Sequence, residues 1–328
     1  MRRARLACWG AALAIMVAGA ALRAESSCRA ADSTAERELG RALFFDSALS
    51  ERGTISCASC HQPEHAFADP RRFSLGQAGE PLSRNTSTLV NRPLVGFQFW
   101  DGRALSLAAQ AVHPLETPAE MGSSISEACG RLAALPAYPE RFRGAFGTSE
   151  VTPCRLATAI AAFVASLSAP ESDYERAKRG GHLPGAVARG EALFAGEARC
   201  ITCHKGPDFT DERFHNTGIA WRSGSGDLGR GALTGRAEDL RAFKTPTLRE
   251  LARTAPYMHD GSLQTLEEAL QNYVRGSARE DPSLDPAIQP LQLWPDQIAD
   301  LLAFLRALTD SRAVQVAPAS ALGEDGNP

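Results

Sequence analysis

The sequence has no excess of positive charge: 35 Lys and Arg stand against 38 Asp and Glu, a net charge of −3. Binding to nucleic acid needs clustered Lys and Arg, so none is expected here. Long hydrophobic runs are also scarce. The one long apolar stretch, residues 6–22, has 17 residues, follows Arg2, Arg3 and Arg5, and is closed by the small Ala24. That layout is a secretory signal peptide over residues 1–24. A retained anchor is the lesser reading, because the stretch is at the short limit of a spanning helix. Removing the signal takes away four arginines and moves the net charge from −3 to −7. No segment alternates apolar and polar residues over a useful length, so no extended sheet is expected. Methionine is rare: beyond residue 24 there are only Met121 and Met258.

Cysteine, by contrast, is plentiful, with eight in the chain. Cys8 lies in the signal. Four others form Cys57-Ala58-Ser59-Cys60-His61 and Cys200-Ile201-Thr202-Cys203-His204. Cys28, Cys129 and Cys154 remain, and an exported protein can oxidise them; Cys129 with Cys154 is the expected pair, with Cys28 unpaired.

The chain of 328 residues, 44% hydrophobic and 22% charged, is long enough for two ordinary domains. It also repeats itself weakly. Gly40-Arg41-Ala42-Leu43-Phe44 precedes the first cysteine motif and Gly190-Glu191-Ala192-Leu193-Phe194 the second. Each reads as a helix whose Leu-Phe pair faces the group bound at its motif. Each half closes with an apolar helix, Leu156 to Leu167 and Pro295 to Leu308, the latter with Ile298, Leu301, Leu302, Leu305 and Leu308 at helical spacing. Pro170 and the charged stretch Glu171 to Arg179 read as a linker. The expected division is residues 25–172, 173–312 and a flexible tail over 313–328.

A Cys-x-x-Cys-His run supplies what a c-type haem requires: two thiols for the two vinyl groups, and an imidazole beside the second thiol on the iron axis. Zinc or redox use of each Cys pair leaves the adjacent His unexplained twice. The fold class is therefore mainly α, with two cytochrome c-like domains, each wrapped around one covalent haem. The sixth iron ligand separates a carrier from a catalyst, since an open position admits peroxide or oxygen. His65, His113, His182, His215, His259, Met121 and Met258 are all available, and spacing does not choose among them.

With these motifs in place, the chain resembles the bacterial dihaem cytochrome c peroxidase and MauG superfamily. The blocks that carry the resemblance are Leu43-Phe44-Phe45-Asp46, Phe67-Ala68-Asp69 after the first motif, Arg84-Asn85-Thr86, Phe99 through Ala104, Pro118-Ala119-Glu120-Met121, Phe243 through Arg249, and Ala255 through Gly261. The resemblance implies a peroxide site at the haem held by His61. Glu120 would be its acid–base carboxylate, with Gln110 and Pro114 in the same pocket. Trp100 would lie between the haems. Asn85, with the backbone carbonyls of Thr254 and Pro256, would hold Ca²⁺, whose preference is for oxygen ligands.

Two positions depart from the peroxidase pattern. Where those members place a methionine ligand opposite His204, this chain has Tyr273, as MauG does. A phenolate is a hard anionic ligand and favours oxidised iron. Where many peroxidases place a distal His that must move, this chain has Gln77, so the first haem is expected to be open at rest. The chain departs from MauG too: Ala198 replaces a tryptophan used to oxidise the protein substrate. Trp221 and Trp294 are alternative exits, although packing is their ordinary role.

The leading expectation is a periplasmic MauG-like oxidoreductase acting on hydrogen peroxide and a partner protein. The alternatives are a peroxidase fed by a small redox protein and a non-catalytic electron carrier.

Overall fold

The computed structural model describes residues 33–93 and 95–312. The expected signal, Cys28 and the 313–328 tail lie outside the described residues.

The first half begins with α1 (Thr34–Phe45), started by a capping box between Ser33 and Glu36. The chain then passes through the first Cys-x-x-Cys-His segment and a long irregular stretch to a short antiparallel hairpin, β1 (Val95–Gln98) and β2 (Ala104–Ser106). Next come α2 (Leu107–Glu116), α3 (Ile125–Ala134), α4 (Ala137–Phe146) and α5 (Pro153–Ala165). The second half holds α6 (Asp173–Arg179), α7 (Gly185–Ala195), the two-residue strands β3 (Phe214–His215) and β4 (Phe243–Lys244), α8 (Leu266–Val274) and α9 (Pro295–Ala307). As expected, the fold is mainly helical with little strand.

Each half is built on one helix crossing. Leu39, Leu43 and Phe44 of α1 pack with Leu156, Ile160 and Phe163 of α5 in one buried cluster. Phe194 of α7 packs with Leu301, Phe304 and Leu305 of α9 in a second. Each such side chain contributes roughly 1.5–3 kcal/mol when fully buried. The glycine of the repeated motif permits both crossings. A Cβ at Gly40 would stand 1.8 Å from the Ala159 carbonyl oxygen, and one at Gly190 would stand 2.1 Å from that of Asp300. No side chain fits either contact, so the weak sequence repeat is a repeated steric requirement.

Four readings of the sequence need correction. The segment read as a linker contains α6, started by a capping box between Ser172 and Glu175. The helix docks onto the second core, with the Tyr174 ring 5.3 Å from Phe304 and perpendicular to it. Secondly, Cys129 is a free thiol on the buried face of α3, while Cys154 is disulfide-bonded. The other described cysteines are free as well, so the partner of Cys154 lies outside the described residues. Apolar burial suits a neutral thiol and pushes Cys129 up to about 11.

The third correction concerns the tryptophans: Trp294 is 76% exposed and Trp221 44% exposed, so neither is a packing residue. Trp294 occupies the cap position of α9, where its backbone N–H donates to Gln297 Oε1 and its ring is left outside the helix. Trp221 is covered on one face by the Arg241 guanidinium. Finally, only the phenylalanine of each Leu-Phe pair lines a cavity; Leu43 is sealed in the core and Leu193 is half-buried.

Candidate active site: two cavities with a common wall

The two cysteine motifs fold alike. Each begins with a single 3-10 turn, Cys57–Ser59 and Cys200–Thr202. In each, the histidine N–H donates to the carbonyl of the first cysteine at 2.9 Å. The four thiols are not joined in disulfides. His61 Nδ1 donates to Phe67 O at 2.9 Å and His204 Nδ1 to Phe209 O at 2.8 Å. Both phenylalanines have left-handed backbone, φ 57° and 51°, which aims their carbonyls at the rings. The bond fixes each imidazole through Nδ1 and leaves Nε2 for a metal. Burial, the main cause, lowers both histidine pKa values and favours the neutral, ligating form.

Cys57, Cys60 and His61 line a narrow cleft of about 90 Å³ with Phe44, Ile160 and Val164. Cys200, Cys203 and His204 line a separate, largely apolar cavity of about 210 Å³. Paired free thiols, an oriented imidazole and apolar walls fit a c-type haem in both halves.

The acid expected at the first site arrives by backbone folding. Pro114 lies within α2. After α2 the chain turns back onto that helix's last carbonyls: Met121 N donates to Pro114 O at 3.1 Å and Ser123 N to Leu115 O at 2.7 Å. Glu120 is thereby brought beside Gln110 and Pro114, and all three line the His61 cleft. The segment is braced from outside by Gln77 N, which donates to Glu120 O at 3.0 Å. Gly76 allows this approach, since a Cβ there would stand 1.7 Å from Ala119 O. Burial, partly offset by Arg103, raises the pKa of Glu120 above the usual carboxylate value. The Gln77 amide donates to Glu51 Oε2 at 3.1 Å and accepts from Arg52 N; Gln77 is not among the residues lining the cleft.

A chamber of about 900 Å³ continues this site between the halves, sharing His61, Gln110, Pro114 and Glu120. Four residues line both this chamber and the His204 cavity: Trp100, Lys244, Pro246 and His259. Trp100 sits on the turn between β1 and β2. A hydrogen-bonded ribbon holds it: Lys244 N donates to Trp100 O at 2.7 Å, Trp100 Nε1 to Asn85 O at 2.8 Å, and Asn85 N to His259 O at 2.7 Å. Sequence reading singled out Trp100 and Asn85, named His259 only among the available iron ligands, and assigned nothing to Lys244. Their signal was the shared blocks in which both stand.

In the second cavity, Tyr273 from the last turn of α8 and Met258 both line the walls with His204. The Tyr273 hydroxyl has no hydrogen-bond partner among the described residues. His215 also lines this cavity, but both its ring nitrogens are engaged, by Asp285 at 2.6 Å and Asp211 at 3.1 Å.

Fold and site together define a two-haem c-type oxidoreductase, with an acid and an amide at one haem position and an indole between the two. Residues 34–182 match the family model for di-haem cytochrome c peroxidase, and residues 187–309 match that for cytochrome c. Among curated relatives, the methylamine utilization protein MauG of Methylorubrum extorquens is 41% identical, over 85% of this chain and 80% of its own. The cytochrome c551 peroxidase of Nitrosomonas europaea is 36% identical, over 83% and 79%. A solved MauG-like protein associated with microbial copper homeostasis superposes with a TM-score of 0.81 at 33% identity, covering 87% of this chain and 92% of that one. The dihaem peroxidase BthA of Burkholderia thailandensis gives a TM-score of 0.73 at 26% identity, covering 90% and 91%. The chain belongs to the di-haem cytochrome c peroxidase and MauG family, and it is a dihaem peroxidase-type oxidoreductase carrying haem c.

Proposed function

We propose that this enzyme is of the MauG-like type: it reacts with hydrogen peroxide beside Glu120 and shares the oxidising equivalents, through Trp100, with the second haem, which Cys200, Cys203, His204 and Tyr273 would hold. The partner that finally supplies electrons is a periplasmic protein, oxidised at its own side chains. The observation that carries this reading is Tyr273, an unpartnered phenol in the wall of the His204 cavity. A buried phenol ionises only beside a cation, and ferric iron is one.

A haem held by Cys57, Cys60 and His61 would supply the iron that peroxide meets and would take up its oxidising equivalents. The remaining work falls to side chains. Glu120 accepts the proton of the inner peroxide oxygen and returns it to the outer one, which leaves as water. Gln110 offers its amide to hold the peroxide, and Pro114 shapes the wall beside it. Trp100 divides the distance between the two cavities into shorter electron steps. An EPR spectrum of the resting ferric protein, followed by addition of peroxide, tests the scheme. One high-spin haem and one low-spin His/Tyr haem are expected, with a rapid spectral change. Two six-coordinate low-spin haems inert to peroxide would overturn it.

A second reading, a peroxidase fed by a small electron-donor protein, is favoured by Met258, which lines the same cavity as Tyr273 and carries a thioether suited to haem. Export to the periplasm is part of either proposal and accords with covalent haem attachment. Among the described residues no helix is long and apolar enough to cross a membrane.

Calcium is proposed at Asn85, Thr254 and Pro256. Neither Asn85 Oδ1 nor the carbonyls of Thr254 and Pro256 accept a hydrogen bond among the described residues, while Asn85 Nδ2 is fixed by Arg71 O and Arg72 O at 3.2 Å each. Three spare oxygens suit a hard cation. The backbone carbonyl of Asn85 holds the Trp100 indole, so losing the ion that would fix this residue's side chain, by chelation or Asn85→Ala, is expected to loosen that carbonyl and slow electron sharing between the haems. Metal analysis finding no bound calcium in the purified holoprotein would remove the ion from the scheme.

A further inference from the structure

Lys244, in the wall between the two cavities, shares its carboxylate partner with a second cation. Lys244 is 7% exposed. Its carboxylate partner is Glu212, at 3.1 Å. Glu212 is also gripped by Arg92, through two hydrogen bonds of 3.1 Å. Two cations therefore share one anion. Asp211 also acts on Lys244 from farther away, while its side chain pairs with His215. A buried ammonium without a full countercharge is costly. Its pKa falls to about 8, with burial the main cause and Arg92 the next.

A second observation points the same way. His259 is 3% exposed, and its Nε2 is buried without a hydrogen-bond partner. Its ring is stacked flat on Phe243, with centroids 3.6 Å apart and planes at 12°, so it cannot swing toward solvent without losing that contact. Lys244 and His259 both line both cavities, and the Lys244–Trp100–Asn85–His259 ribbon joins them. Buried orphan donors in native proteins call for an explanation. Both side chains line the common wall that an anionic group would enter.

We propose that Lys244 Nζ and His259 Nε2 form a carboxylate-binding pair that receives haem propionate where the two cavities meet. Arg92 and Glu212 hold the ammonium in place, and Phe243 holds the imidazole. The pair anchors the haem edge against the turn that carries Trp100. It also sets the potential, since a fixed positive charge beside a propionate favours the reduced haem, which carries one more negative charge. The proposal rests on the family's two haems but not on whether Tyr273 or Met258 ligates the second iron.

The test uses the holoprotein with both haems attached. Lys244→Gln is expected to lower the reduction potential of the haem whose propionate it held. It should also shift the propionate bending mode in the resonance Raman spectrum, while the iron spin-state bands stay as in wild type. Lys244→Arg should keep both close to wild type, because the charge is retained. His259→Phe should shift the same propionate mode. Unchanged potentials and propionate modes in Lys244→Gln would overturn the proposal. Loss of a low-spin ferric signal in His259→Phe would overturn it as well, because the orphan Nε2 would then be an iron ligand. Should Lys244→Gln fail to retain its haems, the His259→Phe spectrum decides alone.

Discussion

Glu120→Gln is expected to keep both haems and their resting spectra and to react with hydrogen peroxide about 10²–10⁴-fold more slowly, the range for a general acid–base group. The amide preserves the shape of the side chain, and the bonds that hold the turn, among them Met121 N to Pro114 O, Gln77 N to Glu120 O and Thr117 Oγ1 to His113 O, do not involve it. The deficit would therefore report proton transfer and not misfolding. The pH profile gives the same argument a sign. Burial raises the carboxyl pKa, with Arg103 pulling the other way. The base form is then lost at a higher pH than for an ordinary Glu. The peroxide rate of the wild-type enzyme should fall as pH is lowered through that raised value, and the fall should be missing in Glu120→Gln. Stopped-flow mixing over a pH series measures both. An unchanged rate would remove Glu120 from the chemistry.

Tyr273→Met is expected to make the second haem easier to reduce, because a neutral soft donor replaces an anionic hard one. It should also abolish the protein's capacity to hold both oxidising equivalents after peroxide, while reaction at the first site continues. Met258→Leu should leave the spectrum of that haem as it was. The two side chains line one cavity, so this pair of variants separates them. Tyr273 reaches the wall from the last turn of a capped helix. Met258 instead holds a left-handed backbone, φ 75°, in an irregular segment. A redox titration that finds the second haem readily reducible in wild type and altered by Met258→Leu would reverse the assignment and favour the donor-fed peroxidase.

Much of the catalytic end was legible because the haem motifs are local. Two cysteines and a histidine within one turn need no tertiary information. Gln110, Pro114 and Glu120 were named through the family resemblance alone, and they line one cleft because the chain after α2 folds back on that helix. The failures share a different cause. The segment through Arg179 reads as solvated from its charges, yet Ser172 and Glu175 cap a helix whose single aromatic, Tyr174, is enough to dock it. The expected Cys129–Cys154 bond depended on which face of α3 each thiol meets, and Cys129 turned to the core. Trp294 was expected to pack, as large apolar rings do, but a helix cap directs side chains by backbone geometry. Lys244 and His259 stood in the shared blocks, but nothing there set them apart as neighbours. Their importance comes from standing where two cavities touch, a long-range relation that spacing does not encode.

The ribbon through Trp100 has a consequence for speed. Electron transfer is slowed by every atom that must move when charge arrives or leaves. Here the indole cannot rotate without breaking the bond from Nε1 to Asn85 O, and its own carbonyl is held by Lys244 N. In the sharing role proposed above, the oxidised ring becomes a stronger N–H donor. The carbonyl that stabilises it is already in place at 2.8 Å. In that proposed role, the reorganisation that would otherwise accompany each electron step would be completed during folding, and the wall between the haems would work as a fixed wire and not as a swinging arm.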